Sequence, residues 1–259
     1  MATHELDLKN VSIGYGKNKI LFNELSFSIG SGVSSIIGLN GSGKSTLIKS
    51  IAGLLPLQQG KIFLDRKDTA EWSAVEKARK FSILLTQRPK LPYFSVYDFV
   101  AMGRSPYTSI TGKLTPEDVE QIEKALIKCG IESLRNSLID EISDGQRQKC
   151  ALACAIAQQT PVILLDEPTT FLDFRSRYSW MELLQSLAAD EGKIILFASH
   201  DLEAVFHFSS QCILLTESGK IELIVKDNFH SSIAISEMLK NSSLKFDGDH
   251  LRFLHSANS

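Results

Sequence analysis

Cysteine is scarce in this sequence, and the little there is lies scattered. Cys129, Cys150, Cys154 and Cys212 form no CxxC pair. That argues against a disulfide-stapled scaffold or a cysteine-held metal, and makes a reducing compartment the default. Cys150 and Cys154 stand four apart in a helical pattern and read as small core residues. No apolar run approaches the roughly 18 residues of a membrane span. The polar start, Met1-Ala2-Thr3-His4-Glu5, lacks the basic and apolar regions of a signal peptide. A role at a membrane would therefore come through a partner. Neither sign of charge dominates: 28 Lys and Arg face 30 Asp and Glu, for a net charge of −2. Such a scattered balance argues against a nucleic-acid partner, which favours a basic face. What remains is ordinary globular material. The 259 residues, 43% hydrophobic and 22% charged, suit one α/β domain with an insertion, or two small lobes.

The most informative stretch is Gly38-Leu39-Asn40-Gly41-Ser42-Gly43-Lys44-Ser45-Thr46. It follows the β-branched run Val33 to Ile37 and precedes a helical pattern from about Lys44 to Leu55. Strand, glycine-rich turn, Lys-Ser and helix together make the context of a P-loop as well as its spelling. The glycines Gly38, Gly41 and Gly43 let the backbone wrap closely and turn N–H groups inward, along with Asn40 and Ser42. The helix aims its positive end at the same point. Lys44 adds a charge for the β- and γ-phosphates, and Ser45, followed by Thr46, offers a hydroxyl to Mg²⁺.

Alternating patterns over residues 5–15 and 19–29 predict two strands joined by a turn at residues 14–18, with Tyr15 at the strand end. After the P-loop helix, Gly60 to Asp65 reads as a short strand, 71–80 as a polar helix, and Phe81 to Gln87 as an apolar strand. From Ser95 to about Gln159 the pattern turns helical. Val96, Phe99, Val100 and Met102 are expected to share one face. Thr115-Pro116-Glu117-Asp118 is a strong helix start, for a helix ending near Cys129-Gly130. Ser143 to Gln146 reads locally as a capping box opening a helix to about Gln158. Val162 to Leu165, flanked by Pro161 and Pro168, predicts a buried strand ending on Asp166-Glu167. A helix from Phe174 to about Ala189 and a second buried strand ending at Ser199-His200 follow. A helical stretch (202–208), strands at 212–215 and 221–225 around a turn at Ser218-Gly219, and a tail with a short helix (235–239) and a hairpin at Asp247-Gly248 complete the chain.

In a parallel α/β sheet, ligands gather beyond the carboxyl ends of the strands. Gln87, Asp166, Glu167 and His200 are all expected there, with the P-loop. Asp166 is placed to hold Mg²⁺. Glu167, facing the opposite way by strand alternation, could polarise a water in line with the γ-phosphate. His200 could contact that phosphate, and Gln87 could hold water or metal.

The P-loop, Gln87, Ser143-Asp144-Gly145-Gln146, Val162 to Glu167, Phe171-Leu172-Asp173 and Ser199-His200, in this order, resemble the ATP-binding subunits of ABC transporters over about residues 5–225. The resemblance implies a P-loop NTPase (RecA-like) α/β core with an N-terminal antiparallel β subdomain and an inserted α-helical subdomain. One ATPase domain would then span 1–225, its core from 1–94 and 160–225 and its helical subdomain from 95–159, with a tail over 226–259. It also implies that Tyr15 stacks on adenine and that ATP lies in a head-to-tail homodimer. There, the P-loop of one copy faces Ser143, Gly145 and Gln146 of the other. Asp173 would lie in the loop crossing the dimer, His200 would be the switch histidine, and the stretch after Gln87 would receive a polytopic membrane permease. Two positions depart from the pattern: Asp144 stands where Gly is usual, and Phe171 where a small residue is usual.

Gly103-Arg104-Ser105-Pro106-Tyr107 further resembles a stretch in the ATPases of importers for iron–siderophore complexes, haem and cobalamin. Read on its own, it is a helix end followed by a loop. The resemblance implies an ATPase on the cytoplasmic face of a bacterial inner membrane, served by a periplasmic or surface binding protein. The competing readings are a soluble ABC ATPase acting on nucleic acid or ribosomes, and a small-molecule kinase. The first usually carries two ATPase domains or long coiled-coil inserts, absent here. The second has no use for the acid pair with its downstream histidine.

Overall fold

The computed structural model describes residues 3–15, 19–86, 92–109, 111–170, 172–216, 221–232, 235, 244–247 and 252–255. Strands β1 (Glu5–Tyr15) and β2 (Lys19–Gly30) lead into β3 (Gly32–Gly38) and helix α1 (Lys44–Ile51). Next come β4 (Gln59–Leu64), β5 (Lys67–Asp68), α2 (Ala74–Ala78) and β6 (Phe81–Leu84). The helical stretch holds α3 (Val96–Ala101), α4 (Pro116–Lys128) and α5 (Asp144–Ala157). The remainder alternates β7 (Val162–Asp166), α6 (Phe174–Glu191), β8 (Ile194–Ala198), α7 (Leu202–Phe208), β9 (Gln211–Leu215) and β10 (Ile221–Val225). A hairpin of β11 (Leu244–Asp247) and β12 (Arg252–His255) flanks the expected tail turn.

Two sheets carry the fold. β2-β1-β4-β5 is antiparallel; β10-β9-β3-β8-β7-β6 is parallel except for β10. Alternation inside the second sheet divides the core in two. Ile163 and Leu165 of β7, with Ile195 and Phe197 of β8, face α3 to α7. Val162, Leu164, Ile194 and Leu196 face α1 and the antiparallel sheet. Both strands are buried throughout, the pattern of a sheet covered on both faces.

Some expectations shift. α1 stops at Ile51, not near Leu55, because Gly53 takes φ +73° and closes a Schellman turn: Gly53 N donates to Ser50 O and Leu54 N to Lys49 O. β6 ends at Leu84 rather than Gln87, and the polar helix over 71–80 contracts to α2 behind a 3₁₀ turn at Thr69–Glu71. Met102 leaves the face of Val96 and Val100 and is exposed, since α3 gives way at that residue to a 3₁₀ turn. The residues of the turns at 16–18 and 218–219, and those after Ile235 in the expected tail helix, lie outside the described ones.

The stretch after α3 is more than a helix end. A Cβ on Gly103 would sit 2.3 Å from Cys154 O, so only glycine lets this turn touch α5. Arg104 is 3% exposed, and its Nε donates to Asp118 Oδ1 at 2.8 Å. Its Nη1 donates to Ala157 O and Gln159 Oε1. Tyr107 lies 4.1 Å from the guanidinium and donates its hydroxyl to Gln158 O. Arg79 Nε donates to Pro106 O, and Gln158 Nε2 to Ala78 O and Phe81 O. The stretch thus locks α4 and the end of α5 onto α2 and β6. Burial alone would raise the Asp118 carboxyl, but hydrogen bonds from Thr115 and Arg104 outweigh it and hold it below the usual carboxylate range.

Arg104→Met leaves Asp118 ionised and buried without its cation, and should cost about 3 kcal/mol in urea unfolding at neutral pH. The depressed Asp118 value stabilises the fold above the unfolded carboxyl pKa of about 3.9, and that stability is lost as pH falls through the folded value. The gap between native and variant should therefore narrow on acidification; a constant gap would mean that the Asp118 charge is not what the variant exposes.

Candidate functional site

The loop between β3 and α1 is fixed by two close approaches. A Cβ on Gly38 would lie 2.7 Å from Ser42 Oγ and 2.9 Å from Leu215 O. Gly43 has φ +98°, and a Cβ there would lie 2.7 Å from Cζ of the fully buried Phe22. Gly41, at φ +79°, faces open space, as do the exposed Leu39 and Asn40. Helices α2 to α7 each begin on a side-chain cap: Ser73, Ser95, Thr115, Ser143, Asp173 and Asp201. α1 begins on Gly43 with none. Gly43 has no side chain to offer the first turn, and the helix dipole presents a positive end to the loop. Ser42 Oγ is buried with no partner. Lys44 is buried, its Nζ donating to Gly38 O and Leu39 O and lying 3.9 Å from Glu167 Oε1. Thr46 is buried in the first turn.

Across from this loop, β7 ends on the acid pair. Ser45 Oγ donates to Asp166 Oδ1 at 2.8 Å, and Thr86 Oγ1 lies within reach of Asp166 O and Oδ2. Glu167 does not follow the strand alternation expected of it. Its φ is +52°, while its N–H still donates to Ala198 O. The left-handed residue turns the second carboxylate back, so both acids meet the P-loop side: Asp166 at Ser45, Glu167 at Lys44. His200, exposed beyond β8, places Nδ1 2.7 Å from Glu167 Oε2.

The capping box at α5 forms as read. Gln146 N donates to Ser143 Oγ and Ser143 N to Gln146 Oε1, with Gly145 between them half-buried and Asp144 exposed in the first turn, where its charge suits the helix dipole. Asp173 caps α6; the Ser176 N–H holds its carboxyl below the usual range. Gln87, Phe171 and the Tyr15 side chain lie outside the described residues. All four cysteines are free; Cys129, Cys150 and Cys212 are buried, Cys154 half-buried. Burial pushes the thiols of Cys129, Cys150 and Cys212 up to about 12.

Two residues at this site escape sequence reading. Thr86 holds Asp166 from the end of β6. Gln148, 3% exposed, donates Nε2 to Pro168 O at 2.7 Å, next to Glu167. Its signal was a polar residue on the buried stripe of α5, in line with Leu152 and Ala155.

The assembly couples an anion-binding helix end and a buried lysine to two carboxylates and an imidazole. That is the equipment for holding a polyphosphate and activating water beside it. Among the described residues no three His, Cys, Asp or Glu side chains gather as a metal cage. A hard cation would instead sit at the Ser45 and Asp166 oxygens and take the rest of its shell from phosphate and water.

A family model described as ABC transporter matches residues 22–170. The chain is 33% identical over 239 residues to the iron(3+)-hydroxamate import ATP-binding protein FhuC of Bacillus subtilis, covering 92% of this chain and 87% of that one. It is 35% identical over 214 residues to the ferric enterobactin transport ATP-binding protein FepC of Escherichia coli, covering 82% and 78%. Its fold matches a dimeric post-hydrolysis structure of the ATP-binding cassette MJ0796 bound to ADP and Pi, at TM-score 0.74 and 25% identity over 85% of this chain and 98% of that one.

Gly43→Ala meets both a left-handed φ and the Phe22 ring, whereas Gly41→Ala meets the φ alone, worth about 1–2 kcal/mol. Calorimetric titration with ATP should show binding lost in the first and weakened by about tenfold in the second. Equal affinities would remove the Phe22 contact as the reason glycine stands at 43.

Proposed function

The chain belongs to the ABC transporter family of ATP-hydrolysing subunits, and from that footing we propose that it energises uptake of an iron–siderophore complex or a related chelate such as haem or cobalamin. Support for the cargo class comes from the two relatives, named for hydroxamate and enterobactin import, and from the Gly103–Tyr107 stretch. The observation that carries the ATPase chemistry is the acid pair turned onto Lys44 and Ser45, with His200 on Glu167.

In this reading the β- and γ-phosphates lie on the N–H groups of the Gly38–Thr46 loop and the open end of α1, with Lys44 against them. Ser45 and Asp166 fit Mg²⁺: both offer hard oxygens, already 2.8 Å apart. Bound there with the nucleotide, the ion would neutralise charge on the phosphate oxygens. Glu167 takes the proton of a water that attacks the γ-phosphorus; the bond to the bridging oxygen breaks and ADP leaves with that electron pair. His200 Nδ1 holds the Glu167 carboxylate in place, and Gln87 takes water or metal. Tyr15 takes the adenine face.

Two copies pair head to tail. Ser143 accepts from Gln146 N, which leaves its hydroxyl proton free to donate to the partner's γ-phosphate, beside the Gly145 N–H. Asp173 lies in the loop that crosses the pair. The core over 1–94 and 160–225 binds ATP, 95–159 forms the helical subdomain, and 226–259 is a tail. Among the described residues no helix is long and apolar enough to cross a membrane, and the subunit works peripherally, on the cytoplasmic face, against a polytopic permease fed by a binding protein outside. Nucleic acid plays no part in this reading.

Glu167→Gln keeps a hydrogen-bonding side chain but not a base. It should trap an ATP-bound dimer on gel filtration and lower turnover by at least about 100-fold. A near-native rate would mean that Glu167 is not the base. Affinity purification from detergent-solubilised native membranes should bring down a polytopic membrane protein in equal amount. Soluble or ribosomal partners alone would favour the non-transport ATPase instead.

A further inference from the structure

Glu167 occupies a backbone state that does not maintain itself. A non-glycine residue at φ +52° is strained and persists only where its surroundings over-determine it. Three hydrogen bonds do so here, beside a longer one from Thr170 N to Glu167 O. Glu167 N donates to Ala198 O at 3.0 Å on the strand side. Thr170 Oγ1 donates to Glu167 O at 3.1 Å, closing the turn. Gln148 Nε2 donates to the buried Pro168 O at 2.7 Å. The first two are local to the sheet and the turn. The third comes from another part of the fold, α5, and it alone reaches the helix whose first turn holds Ser143, Gly145 and Gln146.

We propose that Gln148 is a positioning residue that sets Glu167 according to the nucleotide contacted by its own α5, and so links the two ATP sites of the dimer. The proposal rests on the head-to-tail reading above. Ser143 and Gln148 lie on one continuous helix, five residues or about 7.5 Å apart along its axis. A phosphate on the partner's P-loop, engaging the α5 N-terminus, displaces that helix as a rigid body. The Gln148 amide carries the shift to Pro168, whose ring fixes φ and stiffens the turn. The Glu167 carboxylate, between Lys44 and His200, then moves relative to the nucleotide bound in its own subunit. Each base is thereby set by the ATP its partner holds, and hydrolysis at one site depends on occupancy of the other.

Gln148→Met keeps the length of the side chain and removes the donor; Gln148→Glu keeps the shape and supplies only acceptors. In the full-length chain, either should lower kcat by about tenfold or more, as expected for a misplaced base, with KM for ATP changed less than about twofold. The Hill coefficient for ATP should fall from near 2 towards 1. In a Glu167→Gln background, ATP should still drive dimer formation with Gln148→Met present, because the α5 cap is untouched. Native kcat and Hill coefficient in a folded variant overturn the proposal. So does a loss of rate that merely follows the fraction of folded protein, measured by bound nucleotide per chain. Should the Glu167→Gln chain with native Gln148 form no dimer on ATP, the head-to-tail reading itself fails, an outcome distinct from either.

Discussion

Strands buried on both faces can bring charge to solvent only where they end. β7 from Val162 to Leu165 and β8 from Ile194 to Ala198 are apolar and buried, as suits strands between two cores. Their polar residues are therefore forced to the carboxyl ends, Asp166-Glu167 on one and Ser199-His200 on the other. β3 meets the same constraint and passes into a glycine loop instead. The site is where these three buried central strands run out together, and its charge gathers at the ends that their uncharged middles leave to it.

Much of this was legible because it is local. The P-loop is a contiguous string whose strand, turn and helix lie side by side in the sequence. The caps at Ser143 and Thr115 depend on residues three apart, and both boxes form. The buried strand β7 announces itself by an apolar run between Pro161 and Pro168, and β8 by its apolar run alone. The failures are of two kinds. Some come from a single residue overriding a pattern: Gly53 ending α1 early, Glu167 leaving the strand alternation through a left-handed backbone. Others are distant pairings with no sequence signature. Nothing in Gly103-Arg104 says that its cation will be buried against Asp118, and nothing in Gly43 points to Phe22. The ABC transporter family was readable from motif order alone, yet the motif order is silent on why Gly103 to Tyr107 stands where it does. The structure supplies a packing reason in this chain: glycine for close approach, arginine for a buried triple anchor, tyrosine to stack on it.

That anchor has a mechanical meaning. Arg104, Tyr107, Gln158 and Arg79 tie the helical segment to α2 and β6 at the C-terminal end of α5. At its other end, Gln148 is the contact with the loop beside Glu167. In the proposed coupling, a helix packed along its length in the core and joined by the Gln148 amide to this loop carries a displacement of its cap to the acid pair.

The order of strands in the parallel sheet also bears on how the chain is made. β3 carries the P-loop at its end, yet its neighbours are β8 and β9, and the Gln211 amide that bonds Ser34 is 177 positions away along the chain. During synthesis the antiparallel sheet can close early, since β1, β2, β4 and β5 are near one another in sequence. β3 emerges with them but has no strand to pair with until almost the whole chain has left the ribosome. The nucleotide site is thus among the last features to assemble, and a nascent chain interrupted before β8 carries the phosphate-binding motif in its sequence without the sheet that shapes it.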